Sequence, residues 1–240
     1  MGCRIYKDFN KKFLSKVLNR IYGINIEKMK KITIVDYGCG NILSLRRGLQ
    51  EVGHSSEITN NNKKILNSDF LILPGVGAFK NAMSLLKKNN LIDTLKEYAQ
   101  HKKKIIFGIC LGMQLFLTKS HEMGEHEGLN FIEGEVVQIG KHSKIHNLKI
   151  PHISWNEIFL NDKAKNTKKI NKEILEKNYY FIHSYLALTK KKEDTFAYCK
   201  YFDVKIPAIL NYENILGCQF HPEKSGKNGL QFLKNVIDIK

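Results

Sequence analysis

Ile105-Ile106-Phe107-Gly108-Ile109-Cys110-Leu111-Gly112 carries the reading of the fold. A short apolar run breaks at Gly108, and the residues from Leu111 onward enter a helical pattern. A strand turning abruptly into a helix has the logic of a nucleophile elbow, here with Cys in place of Ser. The two glycines leave side chains out where backbones crowd. The sulfur projects from the turn at a helix N-terminus, where negative charge is favoured, and the N–H of Leu111 stays free to bind an oxyanion. The competing reading is a buried structural cysteine.

Two earlier segments repeat the strand–glycine–helix texture. Ile32-Thr33-Ile34-Val35 ends in Asp36-Tyr37-Gly38-Cys39-Gly40-Asn41, and a helical stretch follows through Leu45, Leu49 and Val52. Phe70-Leu71-Ile72-Leu73 is stopped by Pro74-Gly75-Val76-Gly77, with helical patterns across residues 79–101. Continuous apolar strands alternating with helices predict a mostly parallel sheet covered on both faces. After Gly128 the texture becomes β-rich, with strands expected at 131–139, 155–159, 179–182, 196–201, 206–211 and 215–220. A final helix is expected from about Gly226 to Ile237. Residues 161–178 read as an exposed Lys/Asn-rich connection with one helical turn. No internal repeat occurs. The expectation is one α/β domain with a β-rich second half.

A thiol nucleophile needs a base. Among nine histidines, His221 stands out in Gln219-Phe220-His221-Pro222-Glu223, directly after the strand that carries Ile215-Leu216-Gly217-Cys218. His221 is placed to take the thiol proton and later protonate a leaving amine, with Glu223 fixing the imidazole tautomer. Pro74-Gly75-Val76-Gly77 is placed to supply a second oxyanion donor, although such a loop taken alone is most often a plain turn. Other patterns fail on spacing. Gly38-Cys39-Gly40 has Leu43 where a dinucleotide fingerprint needs its third glycine. His121-Glu122 and His126-Glu127 put their histidines five residues apart among glycines, which reads as a solvated loop rather than a metal site.

The chain has 240 residues, with 39 Lys+Arg against 23 Asp+Glu and a formal charge of +16. Its 42% hydrophobic content suits a globular core. No apolar run reaches the ~18 residues of a membrane span, no signal peptide is legible, and five cysteines without a CxxC pair argue against a disulfide framework or zinc site. A cytoplasmic protein is expected, with no metal and no cofactor. The charge is clustered: residues 1–31 hold nine Lys/Arg and two acids, and residues 163–192 hold nine Lys and two Glu. The rest is nearly neutral, so the excess does not argue for nucleic-acid binding. Residues 1–30 are expected to be a basic N-terminal extension to a domain spanning 31–240. The extension reads as a short amphipathic helix, either a solvated appendage or an upstream start with Met29 as the true beginning; membrane-surface or partner binding competes with that reading.

At this point the residues resemble the class I (triad) glutamine amidotransferases, in wording closest to the glutaminase subunits of imidazole glycerol phosphate synthases. The matching segments are VDYGCGN (Val35–Asn41), PGVGAF (Pro74–Phe79), GICLGMQL (Gly108–Leu115), PHISWN (Pro151–Asn156), FIHSY (Phe181–Tyr185) and QFHPEKS (Gln219–Ser225). The resemblance implies a flavodoxin-like α/β fold with a mostly parallel central sheet and an additional antiparallel β-rich part. It implies a Cys110–His221–Glu223 triad that hydrolyses glutamine, with Val76, Gly77 and Leu111 forming the oxyanion hole. Gly75, Gln114 and His183-Ser184-Tyr185 would contact the glutamine. Trp155 and Asn156 would lie at the interface with a (β/α)₈ cyclase subunit, the heterodimer partner that receives the ammonia in histidine biosynthesis. A paralogous subunit feeding a sugar amidotransferase in surface-polysaccharide synthesis is the alternative. A non-enzymatic basic binding module is the third reading, set against the complete triad. Ser154 departs from the pattern, which usually has glycine there; residues 1–30 and the Lys-rich 163–192 stretch have no counterpart in it.

Overall fold

The computed structural model describes residues 30–164 and 170–239; the helix expected within residues 1–31 lies outside them but for its last two residues. In chain order the elements are β1 (Ile32–Val35), α1 (Ile42–Glu51), β2 (Ser56–Thr59), α2 (Asn62–Leu66), β3 (Phe70–Leu73), α3 (Phe79–Lys88) and α4 (Ile92–Gln100). Then come β4 (Ile105–Ile109), α5 (Leu111–Gln114), β5 (Leu117–Ser120), β6 (His126–Glu127), β7 (Ile132–Gln138), β8 (His152–Leu160), β9 (Asn178–His183) and β10 (Tyr185–Thr189). The chain closes with β11 (Thr195–Tyr201), β12 (Val204–Tyr212), β13 (Ile215–Cys218) and α6 (Gly226–Ile237).

The main sheet has nine strands in the order β2-β1-β3-β4-β13-β12-β11-β8-β9. From β2 to β13 every pairing is parallel. From β13 to β9 every pairing is antiparallel. The parallel strands are apolar on both faces because both are covered. Ile32, Ile34, Phe70, Ile72, Phe107 and Ile109 pack with Leu45 and Leu49 of α1 and Phe232, Leu233 and Val236 of α6. Their alternates Val35, Leu71, Leu73 and Ile106 pack with Phe79, Ala82 and Leu86 of α3 and Leu95 and Tyr98 of α4. A second sheet, β10-β7-β5-β6, adjoins this core.

Several elements differ from expectation. β4 does not break at Gly108: the ladder with β3 and β13 runs on through Leu73↔Gly108 and Gly217↔Gly108. The glycine is there for clearance, since a Cβ would lie 2.6 Å from both Met113 N and Phe116 Cε2. β13 stops at Cys218, and Gln219 continues by donating to Ala208 O at 2.9 Å. Strands β2, β5, β6 and β10 were not expected. β2 is half-buried along its whole length at the sheet edge, so it lacks an apolar run. The 161–178 connection has its helical turn at Lys172–Ile174, but Ile170 and Ile174 are buried in the core.

Candidate active site

Three adjacent parallel strands, β3, β4 and β13, end side by side, and each hands the chain to one segment of the site. Ligand sites in open parallel sheets gather at such carboxyl ends. Pro74–Gly77 follows β3, Cys110 follows β4 and His221 follows β13. Cys110 turns at φ 52°, ψ −110°, a conformation that costs a non-glycine residue about 1–3 kcal/mol and persists only where packing imposes it. The packing is visible: a Cβ on Gly112 would lie 1.9 Å from Leu73 O, and one on Gly217 would lie 2.3 Å from Met113 Cγ. Cys110 N donates to Cys218 O at 2.7 Å, and Cys110 O accepts from Met113 N and Gln114 N. The N–H of Leu111 makes no hydrogen bond among the described residues.

The Pro74 loop lies directly on this turn. A Cβ at Gly75 would meet Gly112 N at 2.7 Å and Leu111 Cβ at 2.9 Å, and Gly77 has φ +95°. The first glycine turn braces it from behind, since Tyr37 Oη donates to Pro74 O at 2.8 Å and Gly40 leaves room for the Pro74 ring.

His221 and Glu223 are almost fully buried, with His221 Nδ1 2.9 Å from Glu223 Oε1. Burial opposes the His221 cation, but hydrogen bonds to Cys110 and Glu223, and their charges, hold the ring up at about 10. Gln219 is also buried; its Nε2 donates to Cys110 Sγ at 3.6 Å. A thiol, an imidazole and a buried carboxylate in this order suit attack on a carbonyl carbon.

A cavity of about 350 Å³ opens over the sulfur. Of the residues expected at the site, Val76, Gly77, Cys110, Leu111, Gln114, His183, Ser184, Tyr185 and His221 line it. Gly75 and Glu223 stand behind the lining, beside His221. Gln114 Nε2 donates to Tyr185 O at 3.1 Å and to Gln219 Oε1 at 3.0 Å. Among the described residues no donor to Gln114 Oε1 is found. Trp155 and Asn156 are not in the lining. They lie on β8, where exposed Trp155 packs against Tyr180 with ring centroids 5.8 Å apart. Asn156 Nδ2 donates to Lys200 O, and its Oδ1 receives Ser154 Oγ and faces His152 Nε2. His152 Nδ1 faces His183 Nε2 at 2.9 Å, and His183 Nδ1 donates to Tyr185 O at 2.7 Å. Burial, helped by the neighbouring His152, pushes His183 down to about 3, so it is neutral at ordinary pH.

Sequence reasoning missed four lining residues: Glu122, Pro151, Ile182 and Lys224. The spacing of His121-Glu122 and His126-Glu127 predicts a solvated loop for Glu122. The residue instead turns inward and accepts from Phe79 N, at the start of α3, at 2.6 Å. The signal was Phe79 at the head of a helix, whose free N–H groups want an anion. His121 faces away, with Nε2 2.8 Å from Glu135. Among the described residues no group of three or more His, Cys, Asp or Glu is arranged to hold a metal, and no helix is long and apolar enough to cross a membrane.

Residues 33–239 match the model of the family described as glutamine amidotransferase class-I. The chain is 45% identical over 206 residues to the imidazole glycerol phosphate synthase subunit HisH of Carboxydothermus hydrogenoformans, covering 86% of this chain and 98% of the relative. It is 41% identical over 214 residues to subunit HisH 1 of Legionella pneumophila, covering 88% and 100%. Among solved structures, PurLQS from Thermotoga maritima superposes with a TM-score of 0.63 at 18% identity, covering 88% of this chain and 99% of the other. A crystal structure of a glutamine amidotransferase gives 0.63 at 16%, covering 85% and 98%; at such identities the likeness is one of fold. The flavodoxin-like α/β expectation therefore holds, and the chain belongs to the class-I glutamine amidotransferase family.

Proposed function

We propose that this chain is the glutaminase subunit of an imidazole glycerol phosphate synthase, hydrolysing glutamine to glutamate and ammonia for histidine biosynthesis. The observation that carries the chemistry is the meeting of Cys110, His221 and Glu223 under one cavity. Cys110 Sγ attacks the side-chain carboxamide carbon of glutamine, and the carbonyl electron pair moves onto oxygen. The N–H of Leu111 and those of the Val76–Gly77 loop receive that oxyanion. His221 gives its proton to the departing nitrogen, and ammonia leaves a glutamyl thioester. His221 then takes a proton from water, whose oxygen attacks the thioester; glutamate departs and the sulfur is released. Glu223 holds the ring tautomer throughout. Gln114 Oε1 and the Glu122 carboxylate face the substrate's amino group, and His183-Ser184-Tyr185 close the far wall. Gly75 acts from behind, by letting the loop approach Leu111.

Ammonia set free in water becomes ammonium and loses its nucleophilicity, so a glutaminase of this kind needs an acceptor subunit against it. Exposed Ile153, Trp155 and Ile182 with Val76 form an apolar rim near the cavity, and Ile153 pairs with Ile182 across β8 and β9. Such a patch suits docking. The partner in this reading is the (β/α)₈ cyclase subunit in a heterodimer, seated over Trp155 and Asn156, and the location is cytoplasmic. Residues 31–240 are the amidotransferase domain and residues 1–30 a basic extension to it. The test is glutamate release with and without a cyclase subunit and its ribotide ligand. Strong stimulation by that pair is expected; stimulation by a sugar amidotransferase instead would overturn the pathway assignment.

A further inference from the structure

The nucleophile has a second side-chain neighbour that the triad does not use. Gln219 is fully buried, and its Nε2 stands 3.6 Å from Cys110 Sγ. An amide has two similar ends, so its orientation needs an independent argument. Tyr185 O is a backbone carbonyl and only accepts. It receives His183 Nδ1 at 2.7 Å and the Gln114 amide at 3.1 Å, so the Gln114 end facing it is the NH₂. That same NH₂ lies 3.0 Å from Gln219, which must present its oxygen there. The Gln219 NH₂ then faces the sulfur. Turning it over would set oxygen against sulfur and NH₂ against NH₂ in a buried site, forfeiting both bonds.

We propose that Gln219 is a catalytic residue: its side-chain N–H, locked in direction through Gln114 and the Tyr185 carbonyl, stabilises negative charge on the Cys110 sulfur. A donor to the charged form of an acid favours that form. Negative charge on the sulfur therefore meets two donors, His221 and Gln219. The same contact serves thioester hydrolysis, where the C–S bond breaks and its electron pair returns to sulfur. A donor already in place lowers that barrier without reorganisation. This inference rests on the glutaminase reading for its catalytic half, but the charge state of the sulfur is measurable without substrate.

The test is the pH profile of Cys110 alkylation by iodoacetamide in the full chain, read by mass spectrometry on the Cys110 peptide, together with glutamine kinetics. The other titratable groups around the sulfur are His221 with Glu223 behind it, Cys218 on β13, Tyr37 on the turn after β1, and Glu122, His183, Tyr185 and Lys224 across the cavity; no Gln219 variant removes any of them. Gln219→Leu removes the donor, and the alkylation profile is expected to move up by about one pH unit, with kcat falling about tenfold and KM little changed. Gln219→Glu keeps the volume and the acceptor for Gln114, so it keeps the proposal testable should the Leu variant fail to fold. It is expected to move the profile further up, because a carboxylate then faces the sulfur. A folded Gln219→Glu protein with the wild-type profile overturns the proposal, as does a lower kcat with no movement of the profile. If the wild type hydrolyses no glutamine even with the cyclase subunit and its ribotide ligand present, while the profile moves as stated, the glutaminase reading fails and the assignment of the donor stands.

Discussion

On the nucleophile side of the cavity, backbone crowding decides the identity of residue after residue: Gly108, Gly112 and Gly217 each lie where an added Cβ would meet another atom within 2.6 Å. On the opposite side, β8 and β9 keep ordinary strand geometry and leave Ile153, Trp155 and Ile182 between 40% and 53% exposed. The first wall is finished within this chain; sterics hold the turn at Cys110, and burial with paired hydrogen bonds holds His221. The second wall presents apolar surface that gains only when another body covers it. The contrast separates two parts of the fold: the nucleophile is built into the parallel half, while the exposed apolar face, the docking face in the proposed reading, belongs to the antiparallel half.

The contrast is broken most directly at the sulfur. Cys110→Ala is expected to lower glutamate release by at least about 10³-fold, since the group that forms the bond is gone. Retained hydrolysis would remove the triad assignment altogether. Gly112→Ala is expected to lose about 3 kcal/mol of stability in a denaturant melt, because its Cβ has Leu73 O at 1.9 Å and only backbone can yield. Wild-type stability in that variant would show that the turn is looser than its packing implies. Trp155→Ala tests the other wall. It is expected to leave the melt of the isolated chain nearly unchanged while weakening the synthase partner about 10- to 100-fold in a binding titration. An unchanged affinity would move the docking face elsewhere.

A pH experiment sharpens the same comparison. The folded chain holds the His221 proton to about 10, above its ordinary 6.5, so the stability linked to that proton is fully present below pH 6.5. It is lost as pH rises through about 10. Glu223→Gln removes part of the raising influence, so its stability deficit against wild type is expected to be widest near neutral pH and to shrink towards pH 10. A deficit that stays constant with pH would mean that the ring and the carboxylate interact only as neutral neighbours.

How far the sequence could be read follows the same division. β1, β3, β4 and the elbow were legible because strands buried on both faces write themselves as unbroken apolar runs, and glycines mark where chains touch. Helix α6 was legible too, expected from about Gly226 to Ile237 and found over Gly226–Ile237. β2 was not, because an edge strand half-covered along its length carries no such run. Glu122 was not, because its partner is a backbone N–H forty-three residues away in the chain, a pairing no local pattern announces. Gln219 was seen only as the lead-in to His221; its orientation depends on Gln114 and Tyr185, which meet it only in the folded state.

Ser154→Gly carries the smallest expected effect and bears on the wall that sequence described least well. Ser154 Oγ donates to Asn156 Oδ1, but Asn156 is also held by Lys200 O and by His152. Losing the hydroxyl leaves those two contacts, so the amide keeps its place, and the residual loss is the roughly 0.5–1 kcal/mol that glycine costs within a strand. Glutamine hydrolysis by the isolated chain is therefore expected to be unchanged, and affinity for the synthase partner to change less than about threefold. The check is a melt of the variant beside a titration with the partner. A large change in affinity with an intact melt would show that the hydroxyl touches the partner. Partner choice would then be written into this face at a single position, independently of the turn that carries the nucleophile.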